Sequence, residues 1–201
     1  MPLIKLFEPE NYCVAGVWKI EEDLAYFDPF LHNFHECFTD IHLIKYPNRR
    51  LEYIAARFLL FNLCIELGID FSPIIKQESG KPIFKHNEVH FSLSHSYQYV
   101  TAILHLHKQV GIDIEKVQQR FVNLQHKFLS DKDIFERDIT SITVAWTIKE
   151  CVFKLYSHMK LNFKNDIFVL HTSSNWSAHA AHSTININLM QIDDFVLCYA
   201  L

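Results

Sequence analysis

The stretch Gly111-Ile-Asp-Ile-Glu115 and the stretch Trp146-Thr-Ile-Lys-Glu-Cys-Val-Phe-Lys154 carry the pattern that decides the fold of this chain. The first alternates apolar and acidic residues, as a β-strand does when one of its faces is buried. The second lies in a longer run whose apolar residues recur at helical spacing. The sequence therefore predicts a strand at residues 110–117 and a helix at residues 141–158.

Four charged residues of these two stretches are predicted to converge. Side chains share a face at every second residue of a strand and about every 3.6 residues of a helix. Asp113 and Glu115 therefore share one strand face, and Glu150 and Lys154 share one helix face. Carboxylate oxygens suit Mg²⁺, which completes its coordination with water and phosphate oxygens. The spacing indicates a metal-assisted site for phosphoryl chemistry.

The composition is that of an ordinary soluble, globular protein. The chain has 201 residues, 49% of them hydrophobic and 21% charged, which is enough for one domain or two small halves. A net charge of −4 gives no general attraction to nucleic acid, and no apolar run approaches the roughly 18 residues of a membrane span. The five cysteines are odd in number and widely spaced, which favours a reducing compartment. We therefore expect a cytoplasmic protein that binds neither nucleic acid nor membranes.

A long helix is predicted in the first half of the chain, at residues 48–67. Its apolar residues recur at helical spacing, with Pro47 just before the segment and Gly68 just after it. Arg49 and Arg50 lie in the first turn, where cations oppose the helix dipole and where a bound anion would relieve that cost. A phosphate ligand would explain this placement, and the alternative is a pair of solvated arginines.

The rest of the pattern indicates two α+β halves. Further strands are expected at residues 89–93, 99–106, 166–171, 183–189 and 194–200. Ser94-His95-Ser96 is expected to form a polar loop between the first two of these, and Ser130-Asp-Lys-Asp133 resembles the capped start of a short helix. Because the order of strand, long helix and strands occurs twice, we infer two halves, residues 1–107 and residues 108–201.

Four blocks, taken in chain order, resemble the signature motifs of the 4'-phosphopantetheinyl transferase superfamily. They are Gln77-Glu-Ser-Gly-Lys-Pro82, Phe91-Ser-Leu-Ser-His-Ser96, Gly111-Ile-Asp-Ile-Glu115 and Trp146-Thr-Ile-Lys-Glu-Cys-Val-Phe-Lys154. The length of the chain and its third carboxylate, Glu150, are similar to those of the monomeric type that activates synthetases of the surfactin kind. The resemblance implies the superfamily fold, in which two similar α/β halves are related by a pseudo-twofold axis.

The resemblance also implies a reaction. The superfamily moves the phosphopantetheine arm of coenzyme A to a serine of an acyl or peptidyl carrier protein and releases 3',5'-ADP. It implies that Asp113, Glu115 and Glu150 hold Mg²⁺, or Mn²⁺ in its place, against the pyrophosphate. Glu150 becomes the candidate base for the serine proton, with Lys149 as a rival in acid–base work. Lys154 matches a lysine that contacts the coenzyme phosphates, and its alternative role is a surface ion pair with Glu150.

The N-terminal half is implied to bind the nucleotide end of coenzyme A. Lys45 and Arg50 match basic positions that hold the 3'-phosphate end, and Lys81, Ser94 and His95 match positions that bind the nucleotide portion. The C-terminal half would then supply the metal ligands and the catalytic helix. The protein partner should be a small acidic carrier protein that docks by charge complementarity.

Two other functions are compatible with these motifs. Tyr97 follows the Ser-His-Ser motif at a place where a small residue is common, and a narrowed pocket would favour a non-catalytic module that binds coenzyme A or a carrier protein. The motif chemistry alone also allows a metal-dependent pyrophosphate hydrolase. Tight binding of coenzyme A without product would favour the module, and consumption of coenzyme A without a carrier protein would favour the hydrolase.

Overall fold

Antiparallel sheets and long helices occur together in both halves of the chain. The computed structural model describes residues 3–38, 41–78, 80–172 and 175–201. Its backbone clusters into two compact units, Met1–Lys108 and Gln109–Leu201. This mixture of helices and sheets confirms the predicted α+β class. None of the helices in the described ranges is long and apolar enough to cross a membrane.

The N-terminal unit is built on a four-stranded antiparallel sheet. The strands of the whole unit are β1 (Leu3–Phe7), β2 (Cys13–Lys19), β3 (Ile74–Lys76), β4 (Pro82–Phe84), β5 (His90–Ser96) and β6 (Tyr99–His105). Its helices are α1 (Asp28–Asn33) and α2 (Pro47–Glu66), with short 3₁₀ turns at Leu24–Phe27, His35–Phe38 and Ile41–Leu43. The sheet has the order β1-β2-β6-β5, and β3 and β4 form a separate hairpin. The helix α2 packs against β2 and β6.

The helix α2 forms where the sequence predicts it. Pro47 occupies its first turn, where a missing backbone N–H costs nothing. Its buried apolar residues, among them Ala55, Leu59 and Leu63, recur every three to four residues and fill the core of this unit. Gly68 lies just beyond the helix at a φ of +65°, a left-handed conformation that glycine adopts without strain.

The Ser94-His95-Ser96 segment is the end of a strand. Its residues pair with residues 99–101 across the β5–β6 hairpin, so the turn falls on Tyr97 and Gln98. The prediction of a polar loop at this motif is wrong, because the polar side chains belong to regularly paired strand residues. Ser79 of the preceding predicted motif lies outside the described residues.

The C-terminal unit contains two three-stranded antiparallel sheets. Its strands are β7 (Gly111–Lys116), β8 (Phe168–Thr172), β9 (Asn175–Ala180), β10 (Ser183–Asn186), β11 (Asn188–Ile192) and β12 (Phe195–Ala200). Its helices are α3 (Gln119–Phe128) and α4 (Ile139–Leu155). The two sheets have the orders β11-β12-β7 and β10-β9-β8, and α4 packs against β7 and β12. The strand and the helix that decide the fold are therefore both confirmed.

Two local predictions in the C-terminal unit are wrong. Residues 130–133 form a turn and do not begin a helix, because the carboxylate of Asp133 accepts the backbone N–H of Ser130 at 2.7 Å and is itself buried. The segment predicted as one strand at residues 183–189 is divided between β10 and β11. The helix α3 and the strand β9 were not predicted. In β9, small residues occupy the buried positions, so its apolar alternation is weak.

Gly111 allows β7 to lie directly against α4. A Cβ atom at this position would overlap the carbonyl oxygen of Cys151 and would lie 3.1 Å from the backbone nitrogen of Leu155. Because these are backbone atoms of a helix, they cannot move aside as a side chain can. The missing side chain thus permits the close approach that brings Asp113 of the strand to Lys154 of the helix.

Candidate active site

An ion pair joins β7 to α4. Asp113 is buried, and its Oδ1 lies 2.6 Å from the Nζ of Lys154. The same ammonium donates a hydrogen bond to the carbonyl oxygen of Ile112 at 3.1 Å. Burial lowers the pKa of Lys154, but the charge and hydrogen bond of Asp113, together with the charge of Glu150, outweigh it and raise the pKa above its usual value. Lys154 is therefore a charged group held against the strand.

Glu150 lies one helical turn before Lys154 and is half-buried. Burial raises the pKa of its carboxyl to about 7; the charges of Asp113 and Glu115 also raise it, whereas Lys154 lowers it. Charges influence one another in this way when they lie close together. Three carboxylates and one lysine therefore share an electrostatic environment where β7 meets α4.

Glu115 occupies the more exposed end of this group. Its side chain is half-buried, and its Oε2 accepts a hydrogen bond from the Nη2 of Arg120 at 2.8 Å. Arg120 lies in the first turn of α3. Sequence reasoning did not select this arginine, although its position five residues after Glu115 placed it within reach.

The chemistry of this donor set fits a hard divalent cation. Asp113, Glu115 and Glu150 offer carboxylate oxygens, and the pKa of Glu150 is raised first by burial and then by the negative charges of Asp113 and Glu115, which a cation would offset. No group of three or more His, Cys, Asp or Glu side chains in the described ranges is arranged closely enough to hold a metal ion. Two of the three carboxylates are instead paired with Lys154 and Arg120.

Lys149 lies in a different environment from its neighbour Glu150. Its side chain is fully buried, and its Nζ lies 3.0 Å from the Oδ1 of Asp133. It also donates to the carbonyl oxygens of Phe163, at 3.0 Å, and of Ile167. An ammonium has three donors, and these acceptors use them. Burial lowers the pKa of Lys149, whereas Asp133 raises it, with a net lowering.

The N-terminal unit contains a second charged cluster, formed by Arg49, Glu52 and His95. The Nη1 of Arg49 lies 2.9 Å from the Oε2 of Glu52 and 3.1 Å from the Nδ1 of His95. The same Glu52 oxygen lies 3.3 Å from the Nδ1 of His95. The cluster thus joins the first turns of α2 to the end of β5.

The other predicted coenzyme ligands lie in varied surroundings in the same unit. Lys45 is exposed just before α2, and Ser94 is buried. Arg50 donates from its Nε to the carbonyl oxygen of Ile44 at 2.6 Å. Lys81 is half-buried, and burial lowers its pKa.

Sequence reasoning did not select Glu52, and it placed Asp133 at the start of a helix without predicting its contact with Lys149. Each is a buried carboxylate that binds a partner distant in sequence, His95 and Lys149 respectively. A signal was present for Glu52, since it lies three residues after Arg49 and between apolar residues of α2. An acidic residue at a buried helix position requires a partner.

Comparison with known protein families gives two consistent matches. Residues 45–105 match the family model described as the 4'-phosphopantetheinyl transferase N-terminal domain. Residues 109–200 match the model described as the 4'-phosphopantetheinyl transferase superfamily. No curated protein matches the chain significantly. Both models describe one class of enzyme, which transfers a phosphopantetheine group.

The two matched segments follow each other along the chain and together span most of it. The chain therefore belongs to the 4'-phosphopantetheinyl transferase superfamily. It is a transferase that moves 4'-phosphopantetheine to carrier proteins, and its family uses coenzyme A and a divalent metal ion.

Proposed function

We propose that the chain is a Mg²⁺-dependent holo-acyl-carrier-protein synthase that modifies a serine of an acyl or peptidyl carrier protein. The observation that carries this proposal is the contact between Asp113 and Lys154, with Glu115 and Glu150 beside it. These side chains carry the carboxylate oxygens that a divalent cation prefers, together with a charged nitrogen for a phosphate. Both are needed where a pyrophosphate is attacked.

The transfer forms one bond and breaks one. The serine oxygen bonds to the phosphorus that carries the pantetheine arm, and the bond from that phosphorus to the bridging oxygen breaks as 3',5'-ADP leaves. A cation held by Asp113, Glu115 and Glu150 would offset charge on the pyrophosphate oxygens. Lys154, kept charged by Asp113, adds positive charge for the same oxygens.

Glu150 is the group that we assign to accept the serine proton, directly or through a water molecule. A base works best when its pKa lies near the working pH. In the metal-free protein, burial and the charge of Asp113 raise the pKa of Glu150 to about 7, and a cation bound at this carboxylate would lower it. Proton acceptance by Glu150 leaves the serine oxygen free to attack.

We assign Lys149 a structural role in place of the acid–base role considered above. Its ammonium is fully buried and bonded to Asp133 and to two carbonyl oxygens. Removal of one partner from a buried pair leaves an uncompensated charge, which is strongly destabilising. The pair therefore secures α4 to the turn at residues 130–133.

The N-terminal unit supplies the groups that we propose for the nucleotide end of coenzyme A. Lys45 and Arg50 would bind the 3'-phosphate end, and Lys81, Ser94 and His95 the nucleotide portion. The support is that Arg50 lies in the first turn of α2 and that His95 lies beside a further arginine, Arg49. Cations and a helix start together favour a bound anion.

The finer properties of the protein are also part of this proposal. We propose a cytoplasmic monomer with two pseudo-symmetric halves, of the type that activates surfactin-like synthetases, acting on an acidic carrier protein. Free buried cysteines are compatible with a reducing compartment. Light scattering coupled to size-exclusion chromatography tests the monomer, and transfer rates for acidic and charge-neutralised carrier proteins test the partner.

The decisive experiment is intact mass spectrometry of an apo carrier protein incubated with the enzyme, coenzyme A and Mg²⁺, with EDTA as control. The expected result is a gain of one phosphopantetheine mass that EDTA abolishes. An unmodified carrier protein beside bound coenzyme A would instead indicate a binding module. Release of 3',5'-ADP without modified carrier protein would indicate a hydrolase. Either result would overturn the proposal.

A further inference from the structure

Glu52 stands out because it is an acidic residue at a buried position of α2. Only 4% of its side-chain surface is exposed. Its neighbours on the same helix, Ile54 and Ala55, are apolar and belong to the hydrophobic core. A buried carboxylate costs stability unless charged or polar partners surround it. Residues that break the apolar pattern of a helix in this way are expected at functional sites.

The partners of Glu52 are much more exposed than Glu52 itself. Arg49 exposes 60% of its side chain and His95 exposes 40%. Glu52 therefore lies beneath two groups that reach the surface, and its Oε2 contacts both of them, at 2.9 Å and 3.3 Å. The contact fixes the Arg49 guanidinium beside the His95 imidazole and turns the Nδ1 edge of that ring towards α2.

We propose that Glu52 is a positioning residue for the 3'-phosphate of coenzyme A, because it holds Arg49 and His95 side by side at the surface of the N-terminal unit. The inference rests on the proposed function, which places the 3'-phosphate end of the coenzyme at the neighbouring Arg50. An anion that meets two groups already held in place loses less conformational entropy on binding than one that must order them. Glu52 acts through its two partners and does not itself touch the ligand.

The positioning role and simple electrostatics predict opposite changes in phosphate affinity when the charge of Glu52 is removed. Glu52 carries a negative charge close to a site for an anion, so removal of that charge alone would strengthen phosphate binding. If Glu52 instead positions Arg49 and His95, its removal weakens phosphate binding even though the net charge becomes more positive. The sign of the change in affinity therefore separates the two explanations.

The test is calorimetric binding of coenzyme A and of 3'-dephospho-coenzyme A to the full chain carrying Glu52→Gln. We expect the variant to bind coenzyme A roughly tenfold more weakly, as loss of charge-assisted hydrogen bonds implies. Binding of the dephospho analogue should change less than about twofold. Unchanged or tighter binding of coenzyme A, or equal weakening for both ligands, overturns the proposal.

Three further variants make the result specific. Glu66→Gln removes the same charge from an exposed position at the other end of α2 and should leave both affinities within about twofold. Glu52→Asp keeps the charge but moves the carboxylate away from its partners by the length of one methylene. If Glu52→Gln does not fold, weaker binding of coenzyme A by Glu52→Asp supports the positioning role. In an Arg49→Ala, His95→Ala background, Glu52→Gln should have no additional effect. A full additional effect overturns the proposal.

The binding measurements also separate this inference from the proposed function. A wild-type chain that shows the predicted binding pattern but modifies no carrier protein contradicts only the proposed function. If the wild-type chain modifies carrier protein, and the wild type and Glu52→Gln bind coenzyme A equally well, only the positioning role is contradicted. A wild-type chain that binds neither ligand overturns both.

Discussion

The two long helices of this chain begin in opposite ways and carry their charged clusters at opposite ends. No described side chain caps the start of α2, and Arg49 and Arg50 lie in its first turn. The start of α4 is capped by Asp138, and its charged residues Glu150 and Lys154 lie near its other end. The uncapped start of α2 places backbone N–H donors beside two arginines, whereas α4 carries one carboxylate, Glu150, on its side.

Under the proposed function, this difference assigns coenzyme binding to the start of α2 and chemistry to the end of α4. A phosphate is recognised by positive charge and hydrogen-bond donors, which the start of a helix supplies. Phosphoryl transfer also needs cation ligands and a base, which carboxylate side chains provide. Changes near the end of α4 should therefore affect turnover, and changes near the start of α2 should affect affinity.

The largest effect is expected for Asp113→Asn. Loss of this carboxylate removes a cation ligand and the partner of Lys154, so kcat should fall about 100- to 1000-fold. Binding of 3',5'-ADP, measured by calorimetry, should change little. Asp194→Asn is the matched control in the same unit, because Asp194 pairs with Lys116 at the surface and exposed pairs contribute little. Full activity of Asp113→Asn would falsify its assignment as a ligand.

The next largest effect concerns how closely each long helix approaches its sheet. A Cβ at Gly111 would meet the backbone of Cys151, so Gly111→Ala should lower the free energy of unfolding by about 3 kcal/mol. A Cβ at Gly16, on β2, would meet the flexible Cδ1 of Leu59 at 2.9 Å, so Gly16→Ala should cost only about 1 kcal/mol. Urea unfolding measures both. Equal costs would show that α4 can move away from β7 as readily as a side chain rotates.

The sequence predicted the groups of α4 and β7 well because they lie on two regular elements. Asp113 and Glu115 follow the strand period, and Glu150 and Lys154 follow the helix period, so their faces could be read without knowledge of the fold. The long helix α2, with Pro47 near its start, was equally readable.

The contacts that the sequence did not predict depend on tertiary structure. Glu52 meets His95 and Asp133 meets Lys149 only because a helix packs against a distant strand or turn. Lys149 and Glu150 are neighbours in the sequence but do not share a helix face, since neighbouring helix residues point about 100° apart. The side chain of Lys149 therefore leaves the helix in a different direction from that of Glu150, and in the structure it is buried against Asp133.

A smaller effect is expected for the coupling of cation binding to a proton. The pKa of Glu150 is raised to about 7 in the metal-free protein, first by burial and then by Asp113, so below that pH a cation must displace a proton. We expect about one proton released per Mg²⁺ bound near pH 6, and much less above pH 8. Calorimetry in buffers of different ionisation enthalpy measures this number. Glu150→Gln should abolish the pH dependence, and an unchanged proton release in that variant would assign the proton to another group.

The same shift has a consequence for the stability of the metal-free protein. Because the folded pKa of Glu150 lies above its unfolded value, its contribution to stability is present below about pH 4.5 and is lost as the pH rises towards 7. The Tm of the wild type should therefore fall relative to that of Glu150→Gln over this range.

The smallest effect tests the contrast between the two helix starts directly. Asp138 accepts the backbone N–H groups of Thr140 and Ser141 at 2.8 Å and 3.1 Å, so Asp138→Ala should destabilise the protein by about 1 kcal/mol. The hydrogen bond from the Ser141 side chain, followed by those backbone bonds, lowers the pKa of Asp138. Its contribution should therefore be present above about pH 4 and disappear as the pH falls through that lowered pKa.

The converse change gives α2 the cap that α4 already has. Tyr46 precedes α2 with an extended backbone and is 73% exposed, so Tyr46→Asp should add up to about 1 kcal/mol of stability. The new carboxylate would compete with an anion for the same N–H groups, so the variant should also bind 3',5'-ADP more weakly. Thermal unfolding and calorimetry measure the two effects. Greater stability with unchanged nucleotide affinity would show that the start of α2 stays uncapped for a reason other than phosphate binding.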